Sequence, residues 1–118
     1  MKTLFILLNH KLNEAQLADA KTSLNISEFI DITSDLWANI PPESPSIDNL
    51  LSEFKQVLQH KAQQGDYLLV QGDFGATYIM IEFARKIGVI PIYATTTRSV
   101  NDSGGRVFTH CRFREYGV

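Results

Sequence analysis

Residues 67–78, Tyr-Leu-Leu-Val-Gln-Gly-Asp-Phe-Gly-Ala-Thr-Tyr, read as an apolar strand over Tyr67–Gln71 that turns through Gly72-Asp73-Phe74-Gly75 straight into a helix over Ala76–Ile87. A short uninterrupted apolar run followed at once by a helical period marks a strand buried on both faces, as in a parallel sheet. The helix is apolar nearly all round, which predicts packing on both sides. Toward the C terminus, Gly88 ends this helix and Val89–Ala94 forms another strand, running into Thr95-Thr96-Thr97-Arg98. A Ser99–Gly105 loop leads to a last strand, Arg106–Arg114, in which Val107, Thr109, Cys111 and Phe113 alternate with Phe108, His110, Arg112 and Arg114. Its two faces read as apolar and basic.

Toward the N terminus, Ser46 is placed to cap a helix whose Ile47, Leu50, Leu51, Phe54, Val57 and Leu58 share one stripe, closed at Gly65. Trp37–Pro45 holds three of the four prolines and reads as a loop folded over the sheet, with Trp37 and Ile40 as core packing or as a lid. Glu28–Ile32 is a short strand. Asn13 with Gln16 is an N-cap and polar N3 pair opening a helix over Glu14–Thr22, and Lys2–Leu8 is the first strand. Tyr67, Tyr78 and Tyr93 fall in apolar elements and read as core.

Strands separated by helices imply right-handed crossovers. The expected class is therefore α/β: a Rossmann-like, three-layer, mostly parallel sheet with an antiparallel C-terminal edge strand. At 118 residues the chain makes one domain. The area scaling law gives about 6,400 Å² for the folded chain against about 19,000 Å² unfolded, enough burial for one core. Hydrophobic residues at 44% and charged residues at 20% exclude a disordered chain. A net charge of −2 excludes a broadly polycationic surface, so no duplex-DNA partner is expected and any polyanion must use a local pocket. Cys111 is the only cysteine, which removes an internal disulfide and a cysteine-based zinc site and fits a reducing cytoplasm. The six-residue apolar run Thr3–Leu8 reads as a buried strand, with no membrane span and no signal peptide expected.

In such sheets ligands bind beyond the carboxyl ends of the strands. Those tips are Asn9-His10-Lys11, Asp31 to Ser34, Gln71 to Thr77, and Thr95 to Arg98, all polar and expected to converge. The glycine-containing turn Gln71, Gly72, Asp73, Phe74, Gly75, Ala76, Thr77 offers helix N–H groups to a phosphate, although it lacks the spacing of a P-loop or a dinucleotide fingerprint. Equally, its glycines simply permit a tight turn, with Asp73 or Thr77 near the cap. Arg98, after Thr95, Thr96 and Thr97, presents a planar fork of donors suited to a phosphodiester, or else pairs with a surface carboxylate. His10 is placed to move a proton near neutrality, or is a structural histidine; Lys11 beside it adds charge. His60, at the end of the striped helix, reads as solvated surface, and His110 belongs to the polar face of the last strand. No histidine and carboxylate spacing suggests a metal, and no cofactor is expected. Arg106, Arg112 and Arg114 read as a charged edge strand or as a basic surface near a dimer interface.

Leu-Leu-Asn-His-Lys-Leu at 7–12, Trp37-Ala-Asn-Ile-Pro-Pro-Glu43, residues 65–78, Tyr93-Ala-Thr-Thr-Thr-Arg98 and Phe113-Arg-Glu-Tyr-Gly117 together resemble a family of small CRISPR-associated proteins of type III systems, grouped with the standalone ring nucleases. The resemblance implies a CARF-like domain that binds cyclic oligoadenylate, most often cyclic tetra-adenylate, at a homodimer interface and linearises it without a metal, switching off the nucleases it activates in antiviral defence. Attack by a ribose 2′-hydroxyl needs positioning and a cation on the charged transition state. On the reading of the residues, Arg98 supplies the cation, Asp73 or His10 handles the proton, and Asn9, Lys11 and the two tip segments hold the ligand. Three rivals stand beside this: a module that sequesters the ring uncut, a phosphometabolite enzyme on a flavodoxin-like sheet, and an interaction subunit with an inert pocket.

Overall fold

The computed structural model describes residues 1–118, and no helix in it is long and apolar enough to cross a membrane. The elements run β1 (Lys2–Leu7), α1 (Glu14–Ser23), β2 (Ile26–Asp31), α2 (Asp35–Ala38), a 3₁₀ turn (Asp48–Leu51), α3 (Ser52–Lys61), β3 (Tyr67–Val70), α4 (Phe74–Lys86), β4 (Ile90–Val100) and β5 (Arg106–Glu115). The sheet order is β2-β1-β3-β4-β5, parallel throughout except for the antiparallel β4–β5 edge pair, so the Rossmann-like expectation holds.

Period-two alternation in β1 and β3 divides the core. Phe5, Leu7, Leu68 and Val70 pack with Trp37 and with Phe54, Leu58, Met80 and Ala84 of α3 and α4. Leu4, Ile6, Leu69 and Ile92 face the other way, with Ala20 of α1 and Phe113 of β5. The capping box forms as expected: Asn13 Oδ1 accepts from Gln16 N at 2.8 Å and Gln16 Oε1 accepts from Asn13 N at 3.0 Å.

Several boundaries differ from the expectations. Trp37 lies in a short helix rather than a loop, since the prolines begin only at Pro41. Ser46 makes no cap: the stripe helix starts as a 3₁₀ turn at Asp48 and ends at Lys61, ahead of Gly65, because Ala62 is already extended. α4 starts two residues earlier than expected and is packed on one side only, with Tyr78 64% exposed instead of buried.

The largest difference is β4, which continues as strand through Thr95–Val100 and pairs along β5. β-branched threonines favour this extended pairing over a loop. β3 stops at Val70, and its last register partner in β4 is Ile92, so the far half of the β4–β5 hairpin leaves the sheet as a two-stranded arm. The arm shows in the dimensions of the chain. The accessible surface is 7510 Å², about 1,100 Å² more than the scaling law gives for a compact chain of this mass. The radius of gyration is 15.1 Å, against about 13.5 Å for a compact domain of this length. At the base of the arm, the His110 side chain is buried against α1, Nε2 lying 2.7 Å from Asp19 Oδ2.

Candidate functional site

The chain order reverses direction across the sheet between β1 and β3, so the switch point where α/β sheets bind ligands lies at Leu8–Lys11 and Gln71–Asp73. Two separate depressions open there. The first, about 290 Å³, is lined by Asn9, His10 and Lys11 after β1 and by Asp31, Thr33, Ser34 and Asp35 after β2. The second, about 510 Å³, is lined by Gln71, Gly72, Phe74, Thr77, Tyr78, Ile81, Tyr93 and Tyr116. The expected convergence of four tips into one site therefore divides.

In the first depression His10 is exposed and its Nδ1 donates to the Lys11 carbonyl at 3.1 Å. Asp31 accepts from Thr33 N at 2.9 Å, an Asx turn that shapes the β2 tip.

The second depression is built on Trp37. Its indole is 1% exposed and donates from Nε1 to the Gln71 carbonyl at 3.0 Å. A side chain at residue 72 would meet that ring, since a Cβ there falls 2.7 Å from Nε1 and 2.9 Å from Cε2, so glycine is required for close approach. Gln71 then ties the strand tips together, with its N–H on Leu7 O and its Oε1 accepting from Ala94 N at 2.9 Å. Asp73 is the N-cap of α4, Oδ2 accepting from Ala76 N at 3.0 Å, which is the capping alternative for this turn. The N–H groups of Phe74 and Gly75 have no partner, and neither does the buried Thr77 hydroxyl on the wall of the cavity.

The other walls are aromatic. Phe74 is 95% exposed at the rim. Tyr93 and Tyr116 stack at 4.7 Å between centroids, with the Arg114 guanidinium 5.1 Å from the Tyr93 ring. Tyr116 donates to the Val70 carbonyl, and burial, with Tyr93 beside it, raises its phenol above the ordinary value near 10.0.

Two candidate ligand contacts are engaged within the fold itself. Ala76 is fully buried and turned away from solvent. The Thr95 hydroxyl is consumed inside the hairpin, donating to Arg112 O at 3.0 Å and accepting from Arg112 N at 3.2 Å. Gly75 and Asp73 flank the second cavity without lining it. Thr96, Thr97 and Arg98 line neither cavity; they lie exposed on the arm, where Arg98 stacks on Phe108 at 5.5 Å. Conversely, Tyr78 and Tyr93, read as core, form cavity wall, and Tyr116 joins them. The only signal for Tyr116 was its place in the 113–117 segment.

A family model described as the Uncharacterized protein MJ1673 family matches residues 2–114. A Methanocaldococcus jannaschii protein, "Uncharacterized protein MJ1673", is 44% identical over 126 aligned positions covering 98% of each chain. No solved structure matches. The sheet, the Gly72 turn and the hairpin all fall within the matched span, and the chain belongs to the MJ1673 family.

Proposed function

We propose that this protein binds a cyclic oligoadenylate at the carboxyl ends of its strands and linearises it as a ring nuclease. The observation that carries the reading is the second cavity. It sets exposed aromatic faces, on which a base can stack, beside two free N–H groups of a helix start, which suit a phosphodiester oxygen. A cavity of about 510 Å³ takes one nucleotide unit. The neighbouring depression, with His10 and Lys11, lies at the next strand tip for an adjacent unit of the ring.

In the reaction, a ribose 2′-oxygen attacks the adjacent phosphorus and the bond from phosphorus to the 5′-oxygen breaks. The products are a 2′,3′-cyclic phosphate and a 5′-hydroxyl. The proton leaves the 2′-hydroxyl for a base, Asp73 through its uncapped Oδ1 or His10, and the departing 5′-oxygen takes up a proton. Arg98 is the candidate cation for the phosphorane-like charge.

A second reading is a module that holds the ring uncut. It is favoured by the dispersal of Arg98, Asp73 and His10: one on the arm, one at a helix cap, one in the other depression. One experiment separates the readings. Radiolabelled cyclic tetra-adenylate is incubated with excess protein in EDTA and the products are resolved. Linear fragments ending in cyclic phosphate support the nuclease. An intact, bound ring supports the sequestering module, and an intact, unbound ring refutes both.

A further inference from the structure

Gln71 is held at every point but one. Its N–H donates to the Leu7 carbonyl at 3.1 Å, its carbonyl accepts from the buried Trp37 Nε1 at 3.0 Å, and its Oε1 accepts from Ala94 N at 2.9 Å. The last tie arises because β3 stops at Val70. Ile90 N–H still meets the chain just before β3, at Asp66 O, but at Ala94 no strand backbone is left and the Gln71 side chain takes its place. Ala94 N–H is a donor, so the atom facing it must be the amide oxygen. Nε2 is left with two donor hydrogens, no partner within the chain and access to solvent. Around the same cavity the Thr77 hydroxyl is shut off from solvent, Tyr116 gives its proton to Val70 O, Tyr93 accepts from Arg114 Nε, and Tyr78 is 64% exposed. That leaves the Gln71 amide as the polar group of fixed orientation beside the aromatic walls.

We propose that Gln71 selects the base held in the second cavity, and that the Ala94 N–H is what makes it selective. A glutamine amide free to turn over pairs with a donor and an acceptor in either order. Here the half-turn would set Nε2 against Ala94 N–H, donor on donor, and lose the 2.9 Å bond. The amide thus presents one order only, an acceptor at the second lone pair of Oε1 and a donor at Nε2. Adenine matches it, since its N6 amino group donates and the neighbouring ring nitrogen, N1 or N7, accepts. Guanine carries the acceptor O6 where adenine carries the N6 donor, so on either edge O6 meets Oε1, lone pair on lone pair. Turning guanine over restores the order on its N1 edge but moves its sugar to the opposite side, away from the Phe74 and Gly75 N–H groups that suit the phosphate. This selection rests on the cavity being a nucleotide site, as proposed above, and names what chooses the base within it.

The test uses adenosine and guanosine 5′-monophosphates as probes, titrated by NMR into the wild-type chain, Gln71→Glu and Ala94→Pro, with cyclic tetra-adenylate alongside. The wild type should prefer the adenine nucleotide about 5- to 150-fold, the worth of one bidentate base contact. Gln71→Glu keeps an oxygen on Ala94 N–H but replaces the free donor by an acceptor, which repels the adenine ring nitrogen and suits the N1–H and N2 amino donors of guanine. The preference should vanish or reverse, and the added negative charge, which weakens both monophosphates alike, drops out of the ratio. Ala94→Pro removes the restraining N–H at no cost in ladder bonds, since β3 has ended, and should raise the affinity for the guanine nucleotide relative to adenine with circular dichroism unchanged. A merely structural role would shift both affinities together. A wild type without the preference, or a preference that survives in either folded variant, overturns the selection, while binding of cyclic tetra-adenylate keeps the site itself standing. A wild type that binds no nucleotide refutes the site and the selection together.

Discussion

Gly72→Ala tests whether the cavity floor is held by close contact with Trp37. The added methyl would lie 2.7 Å from Nε1 and 2.9 Å from Cε2 of an indole that is 1% exposed. That ring cannot swing away, because it packs edge-on against Phe54 at 5.7 Å between centroids and donates to Gln71 O at 3.0 Å. Overpacking of this kind costs about 1–3 kcal/mol, and displacing the indole puts its hydrogen bond, worth about 1 kcal/mol, at risk. An expected loss of about 2 kcal/mol corresponds to about 8 °C in Tm at this length. Urea unfolding followed by far-UV circular dichroism reads the loss directly, with and without the indole. The cause is isolated by a double-mutant cycle: in a Trp37→Phe background the same alanine should cost at least 1 kcal/mol less, since the clashing atoms are gone. A Gly72→Ala protein within about 0.5 kcal/mol of wild type, or an equal cost in both backgrounds, would refute the reasoning.

Phe74→Ala should leave the urea midpoint nearly unchanged, since the ring is 95% exposed, yet weaken cyclic tetra-adenylate binding about 5- to 150-fold if one base stacks there, measured by titration calorimetry. Asp19 is lowered below the ordinary carboxylate value by its Ser23 hydrogen bond first and by His110 and Arg112 after it, against a desolvation penalty. A depressed folded value contributes stability above the unfolded value near 3.8 and loses it as pH falls through the folded one, so Asp19→Asn should flatten the acid limb of the urea midpoint below about pH 5. Tyr116, raised by burial, has the opposite sign: its contribution is complete below pH 10 and is lost as pH rises through the folded value. Tyr116→Phe should therefore remove part of the alkaline loss of stability, and in the wild type one phenol should ionise late in absorbance at 295 nm.

Local chemistry carried much of the molecule into view before any contact was known. The apolar runs in β1 and β3 and the stripe on α3 are visible because burial on two faces, or on one helical face, imposes a period on the residues themselves. The Asn13 and Gln16 pair announces its capping box because both partners lie within one turn. The Gly72 turn was legible as a strand-to-helix junction, but its reason, the Trp37 ring arriving from 35 residues away, was not. Thr95-Thr96-Thr97-Arg98 misled for a related cause. A polar segment after an apolar strand looks like a loop tip, and only pairing with Arg112, His110, Thr109 and Phe108 across the hairpin makes it strand.

By itself, then, the amino-acid sequence determined the element order, the mostly parallel sheet and the membership of Asn9–Lys11 and Gln71–Thr77 at its carboxyl edge, because these follow from periodicity and crossover handedness along a continuous chain. Only the tertiary structure decided that these tips open into two depressions, that Tyr93 and Tyr116 wall one of them, that His110 is buried on Asp19 and that Arg98 stands out on an arm. Each of those depends on where a strand stops relative to its neighbour. β3 ends at Val70 while β4 runs on to Val100, and that difference is set by pairing partners distant in the chain rather than by the residues at either end.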